Sequence, residues 1–372
     1  MEETREERAE RIKSGKLREG WTTGTCASCS AKAATYILLG KNLEEVKKVE
    51  VELPVKDRTA CLEIFRAEKL NGEAIASTIK DAGDDPDVTH GAEIGAIVRF
   101  SREKGVKIIG GEGIGRVTKP GLSIEVGEPD ITPVPRKMIK KAVISAALEL
   151  GFKEDEITLE VEIFAPEGRE RAKKTMLERL GVIGGIGILG TLGIVVPYST
   201  GAWKASIARQ ISVAKESGCD IIVCTTGRQS EELAKKFFPY LPDVAFVDVG
   251  DFIGFTLKYA KQKNISRVII AGFLAKISKV AKGEEFTHAK KSSVDIDFLV
   301  SLAREEASDE ICNELRRANT ARQFAELAKS YGLKNVFQKV AELAKKKCND
   351  FGIHTEVVIF DFSGDNILAY AS

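Results

Sequence analysis

The chain has 372 residues, enough for two or three domains with a well-buried core and too many for one small domain. Its 56 Lys and Arg against 55 Asp and Glu leave a net charge of +1 with no long basic block, which excludes nucleic acid as the main partner and any global attraction to an anionic membrane. Seven cysteines at irregular spacings argue against a disulfide framework and for a reducing compartment.

In chain order, residues 1–18 read as a charged helix or loose arm. They lack the apolar stretch of a signal peptide and the acid-poor pattern of a transit sequence, so a cytoplasmic location is expected. Thr25 is placed to cap a helix over 26–39 that Gly40 closes. Cys26-x-x-Cys29 at its start has a spacing used by zinc and redox sites, but no second Cys or His pair follows at a ligand interval, and packing is the preferred reading. Extended patterns follow near 48–53, 59–65 and 93–100, before a glycine-rich segment at 110–121. A helix should begin near Pro135, turn Met138, Ile139, Ala142, Val143, Ala146 and Leu150 inward, and stop at Gly151. With a strand over 157–164, residues 19–165 are expected to form an α+β domain.

From 166 to 372 the pattern predicts a Rossmann-like α/β domain: a helix to Leu180, a strand at 186–189, a helix at 200–217 with Trp203, Ile207, Ile211 and Ala214 on one face, and a strand at 221–224. A helix at 230–238, a strand at 244–247, a helix at 252–262 and a strand at 267–271 continue it. Apolar strands separated by amphipathic helices mean βαβ units and a largely parallel sheet. Residues 273–350 read as a helical extension and 355–362 as a last strand. Residues 181–198 carry no charge and approach the length of a membrane span, yet their glycines and Pro197 favour a buried strand and turn, so no membrane contact is expected.

In open parallel sheets ligands gather beyond the carboxyl ends of the strands. That rule selects 191–200 with Thr191, the loop of Thr226 and Gly227, and the loop of Asp248 and Asp251, whose carboxylates suit ribose hydroxyls; capping of the next helix by Asp251 is equally compatible. Gly185-x-Gly187-x-x-Gly190 fits a nucleotide fingerprint by letter. The expected strand lies within it rather than before it, so either a ligand or a neighbouring strand can be what comes close.

The turn at 80–92 gathers Asp81, Asp84, Asp85 and Asp87 with His90, one of three histidines. As a calcium loop it would carry Pro86 where Gly is required and Ala92 where a bidentate Glu belongs, so that reading is rejected; a solvated Asx turn is the plain alternative. No triad or metal cluster is evident and no resident metal is expected.

Several ordered stretches carry a resemblance: Leu17 to Ala27, the 80–92 turn, Gly110 to Gly121, Val126 to Arg136, Gly187 to Val195, and Val249-Gly250-Asp251-Phe252. Together they resemble the cobalt-precorrin-5B (C1)-methyltransferases of anaerobic cobalamin synthesis. Departures are local: Trp21 where Tyr is usual, Leu192 for Thr, Tyr198 for Met and Ala289 for Ser, none of which removes a charge. The resemblance implies S-adenosylmethionine as cofactor, a cobalt-corrin as small-molecule partner, and methylation at C1 to give cobalt-precorrin-6A. It places Asp84, Asp85 and His90 in proton handling at the corrin. The strand-end loops and the glycine run supply Gly185, Gly187, Gly190, Thr191, Thr226, Gly227, Asp248 and Asp251 for that cofactor, and the resemblance puts Asp87 at the substrate, to which Thr22, Thr23, Thr25 and His288 are also assigned. A polycarboxylate macrocycle also asks for cations beside defined loops, which Arg116, Lys119, Arg136, Lys137 and Arg228 supply. A non-catalytic corrinoid carrier and a dinucleotide oxidoreductase remain alternatives, and whether the chain forms a homo-oligomer stays open.

Overall fold

The computed structural model describes residues 14, 17–288, 294–364 and 366–372, so most of the expected arm at 1–18 lies outside the described residues. The chain forms two compact units, 1–200 and 201–372.

The centre of the first unit is the helix Thr23–Leu38, in which every residue but Lys32 is buried. Its Gly, Ala, Ser and Cys side chains are short enough to let the helix Pro133–Glu149 and a five-stranded sheet approach closely. That sheet runs in the order Arg66–Leu70, Glu73–Ile79, Glu93–Phe100, Thr158–Phe164, Gly105–Gly110, antiparallel except for the last pair. A separate hairpin pairs Lys48–Glu52 with Thr59–Glu63, its alternating burial turning Val49, Val51, Ala60 and Leu62 inward.

Five expectations for this stretch are corrected. Thr22, not Thr25, caps the first helix, its hydroxyl accepting from Thr25 N–H at 3.2 Å. Leu150 follows the second helix as its C-cap and is 37% exposed. The helix expected up to Leu180 ends at Ala172 and gives way to turns. The strand expected at 186–189 is reduced to single bridges, Ile114 to Ile186 and Ile131 to Ile188, in a run where Gly185, Gly187 and Gly190 weaken a continuous strand. Segment 191–200 follows no strand of the parallel sheet: Ile194–Val195 pairs antiparallel with Gly20–Trp21 in the first unit. Residues 166–200 thus lie in the first unit, not with the parallel sheet of the second.

The second unit holds a five-stranded sheet in the order Phe246–Asp248, Ile221–Thr225, Arg267–Phe273, His354–Phe360, Ile367–Ala371. Its first four strands are parallel and the last, which the sequence reading lacked, is antiparallel. Helices Thr200–Glu216, Arg228–Phe237 and Ile253–Gln262 alternate with the early strands. Apolar clusters on both faces explain why the strands read as continuous Val/Ile runs. The region between the strands Arg267–Phe273 and His354–Phe360 is helical where described, with five helices from Leu274–Ala281 to Asn335–Asn349. Trp203, expected inward, is 44% exposed, whereas Ile207, Ile211 and Ala214 are buried. Among the described residues no helix is long and apolar enough to cross a membrane.

Candidate functional site

In the first unit the 80–92 turn is fastened from both sides. Gly83 takes a left-handed conformation, φ 66°, with its α-carbon against the carbonyl of Arg18, so a side chain there would be strained and would overlap that carbonyl. The Arg18 guanidinium forks onto Asp81, its Nη2 donating to Oδ1 at 2.9 Å, and this hydrogen bond holds the Asp81 carboxyl below its usual range. Asp84 is buried; its N–H donates to the Arg18 carbonyl at 3.0 Å, and its carboxylate accepts from Arg18 N–H at 2.7 Å. Asp87 accepts from the buried Lys80 ammonium at 2.7 Å and from the N–H and hydroxyl of Thr89 at 2.7 and 2.6 Å. Burial works against ionisation of Asp87, but Lys80 and Thr89 together bring its carboxyl below the usual range.

Two members of the turn remain near the surface. His90 accepts at Nδ1 from Ala82 N–H at 3.1 Å, which puts the ring proton on Nε2, and its side chain is half exposed. Asp85 is partly exposed and accepts from Tyr198 N–H at 3.0 Å. Tyr198 adopts φ 55° and is exposed, as are Leu192 and Val196 in the same loop. The arrangement places a half-exposed imidazole and a carboxylate on a polar turn that is tied to an apolar loop.

The threonines have structural partners in that loop. Thr23 exchanges hydrogen bonds with Leu189, donating to its carbonyl at 3.3 Å and accepting from its N–H at 2.8 Å, while Thr25 donates to the Gly193 carbonyl at 2.6 Å. The glycines meet protein on the side where a Cβ would stand: at Gly185 the Gly113 carbonyl, at Gly187 the Asp130 carboxylate, at Gly190 Thr22. Close approach by neighbouring chain accounts for these three, while Thr191 is exposed. Gly187→Val is therefore expected to lower stability by about 1–3 kcal/mol through forced repacking. Chemical denaturation checks it, and a variant as stable as the parent would contradict the close packing.

Cys26 and Cys29 are buried; burial pushes the Cys26 thiol up to about 11 and raises Cys29 as well, against thiolate formation. Of the cations, Arg116 donates to the Gly127 carbonyl, Lys119 to the Arg179 carbonyl at 3.0 Å, and Arg136 to the Ile131 carbonyl at 2.9 Å. Arg228 extends into solvent and pairs with Glu232 at 3.0 Å.

In the second unit, two loops at the carboxyl edge of the parallel strands converge on one lysine. Lys276, in the first turn after the strand Arg267–Phe273, donates to the Thr226 carbonyl at 2.8 Å and the Gly250 carbonyl at 3.2 Å and lies 3.1 Å from Asp251 Oδ1. Asp251 also accepts from the Thr287 hydroxyl at 2.9 Å, so its side chain clamps loops rather than capping the helix that follows, whose cap is Phe252. Burial lowers the pKa of neighbouring Lys279, which donates to the Thr287 carbonyl at 2.9 Å. Asp248 Oδ1 accepts from Gly250 N–H at 3.2 Å, and Gln210 holds the backbone of Asp248. Beside Gly227 nothing lies within 4 Å of a would-be Cβ, leaving room above the start of the helix Arg228–Phe237. His288 is exposed, its ring stacked on Phe286. Lys276, which the sequence reading missed, thus joins the loop of Thr226 and Gly227 to the loop of Asp248 and Asp251. Its place just after a strand end was the available signal.

The chain matches the family CbiD over residues 10–197 and the family described as CbiD, C-terminal domain, over 286–371. A relative from Priestia megaterium, named cobalt-precorrin-5B C(1)-methyltransferase, is 44% identical over 355 residues, 94% of this chain and 95% of its own length. One of the same name from Leptospira interrogans is 45% identical over 94% of each chain. The crystal structure of a cobalamin biosynthesis protein (cbiD) from Archaeoglobus fulgidus is 26% identical and covers 89% of this chain and 93% of its own, with a TM-score of 0.39.

Proposed function

The chain belongs to the CbiD family, and from that premise we propose that it is a methyltransferase of cobalamin biosynthesis that carries the methyl group of S-adenosylmethionine to C1 of cobalt-precorrin-5B, giving cobalt-precorrin-6A. The observation that carries the reading is the 44% identity, over nearly the whole of both chains, to a relative named for that reaction.

The chemistry asks little covalent work of the protein. The ring carbon supplies the electron pair of the new C–C bond, the C–S bond of the sulfonium breaks toward sulfur, and S-adenosylhomocysteine leaves. Alignment of the two ligands can contribute up to about 7–11 kcal/mol in effective-molarity terms. The donor binds in the second unit, where Thr226, Gly227, Asp248 and Asp251 stand at the carboxyl edge of parallel strands. The corrin is served by the 80–92 turn, where Asp85 and the Nε2–H edge of His90 handle protons of the macrocycle, and where Leu192, Val196 and Tyr198 offer an apolar loop. Asp84 and Asp87, fully engaged within the turn, hold it in shape.

Asp251→Ala tests the donor half. Without the carboxylate Lys276 loses one of its three anchors, and affinity for S-adenosylmethionine is expected to fall about ten-fold in a folded protein. Unchanged affinity by calorimetry would remove Asp251 from the site. Binding of the corrin with no binding of S-adenosylmethionine would favour a non-catalytic carrier, and NAD(P) binding would favour an oxidoreductase.

A further inference from the structure

We propose that Trp203, backed by Phe252, is the stacking platform for the adenine ring of the methyl donor, so that the loop 248–251 together with the start of the helix Thr200–Glu216 forms the nucleoside pocket. The inference rests on the donor reading above and adds which part of the donor goes where.

Three observations carry it. The first is an exposed indole that is held in place. Trp203 is 44% exposed, yet its ring stacks on Phe252 at 6.5 Å between centroids and 26° between planes. Phe252 in turn packs on Phe286 at 4.9 Å. An indole stacked from one side in this way, and still 44% exposed, keeps its other face for a planar ligand.

The second is the anchoring of that helix to the acidic loop. Trp203 and Gln210 are seven residues apart, two helical turns, and so lie on one face. Gln210 exchanges hydrogen bonds with Asp248, accepting from its N–H at 2.9 Å and donating to its carbonyl at 3.4 Å. Gly250, at φ 53°, brings its backbone near the indole, where an added Cβ would stand 3.7 Å from Trp203 Cζ3. The indole therefore stands beside the loop that carries Asp248 and Asp251.

The third is the place of the acidic loop. Asp251 is engaged with Lys276 and Thr287. Asp248 sits half-buried at the end of a parallel strand, its Oδ1 accepting from Gly250 N–H at 3.2 Å. A carboxylate at the end of a parallel strand stands where such sheets receive the hydroxyls of a ribose. An aromatic face and a ribose-matched carboxylate on the same loop describe a nucleoside more closely than they describe a macrocycle, whose carboxylates would be repelled by Asp248.

The protein has two tryptophans, so incorporation of 5-fluorotryptophan gives two fluorine resonances, which Trp203→Phe assigns directly and Trp21→Phe assigns by elimination. Titration with S-adenosylhomocysteine, alone and with cobalt-precorrin-5B present, is expected to move the Trp203 resonance and leave that of Trp21 in place. Adenosine should compete and methionine should not. Trp203→Ala is expected to weaken S-adenosylhomocysteine binding about ten-fold or more, with Trp203→Phe retaining most of it. Binding measured by calorimetry with an unmoved Trp203 resonance, or a Trp203 resonance that answers only to the corrin, overturns the platform and leaves the donor reading standing. No heat with S-adenosylhomocysteine under either condition sinks both.

Discussion

Lys80→Met is expected to lower the stability of the fold by about 3–5 kcal/mol, the loss typical of removing one partner from a buried ion pair. Lys80 is 1% exposed and its ammonium lies 2.7 Å from the Asp87 carboxylate, which is itself largely covered. Methionine keeps the length of the side chain and leaves the carboxylate facing a thioether, so the variant loses charge compensation with little change in volume. The pH dependence fixes the sign. A carboxyl held below its ordinary value contributes stability that is complete above that value, about 3.8 here, and that disappears as the pH falls through the folded-state value. In Lys80→Met the lysine's share of that lowering is gone, and only the Thr89 hydrogen bonds are left to oppose burial, which raises the same carboxyl. The gap between parent and variant should therefore be wide at neutral pH and narrow below about pH 4. Urea denaturation at both pH values measures it, and a gap independent of pH would show that the ion pair is not its source.

His90→Ala is expected to lower methyl transfer to the corrin by about 10²–10⁴-fold, the range of a positioned acid or base. Donor affinity should stay unchanged, because the groups proposed for the donor belong to the second unit. The same imidazole accepts from Ala82 N–H, and the loss of that bond at a half-exposed site costs about 1 kcal/mol. Turnover per folded molecule and melting temperature, measured on one preparation, separate the two roles. Full turnover in a slightly destabilised variant would leave His90 with a purely structural part.

Where burial follows a regular period, the fold was legible. The alternating pattern over 48–52 and 59–63 and the continuous apolar runs of the parallel strands placed those elements to within a few residues. The strands Arg66–Leu70 and Glu73–Ile79 were missed because the first carries three charged residues with no alternating apolar face and the second, buried through most of its length, shows little alternation. The segment after 172 was misread because its uncharged run suggested a sheet strand, whereas close contacts with Gly113, Asp130 and Thr22 hold it in the first unit.

The site was legible in part, and the reason is reach. The strand-end rule selected Thr226, Gly227, Asp248 and Asp251, all local consequences of chain direction. Lys276 bridges two carbonyls contributed by residues far away in sequence, which no local pattern encodes. The acidic turn drew attention by composition alone, but composition could not show that Asp84 and Asp87 are tied inward while Asp85 and His90 remain near the surface.

The most direct test is transfer of a labelled methyl group. Incubated with S-adenosylmethionine carrying a carbon-13 methyl and with cobalt-precorrin-5B, the purified protein should yield a corrin with one labelled methyl at C1 and one equivalent of S-adenosylhomocysteine. Labelled methyl at another ring position, or tight corrin binding with no transfer while the donor stays intact, would contradict the account.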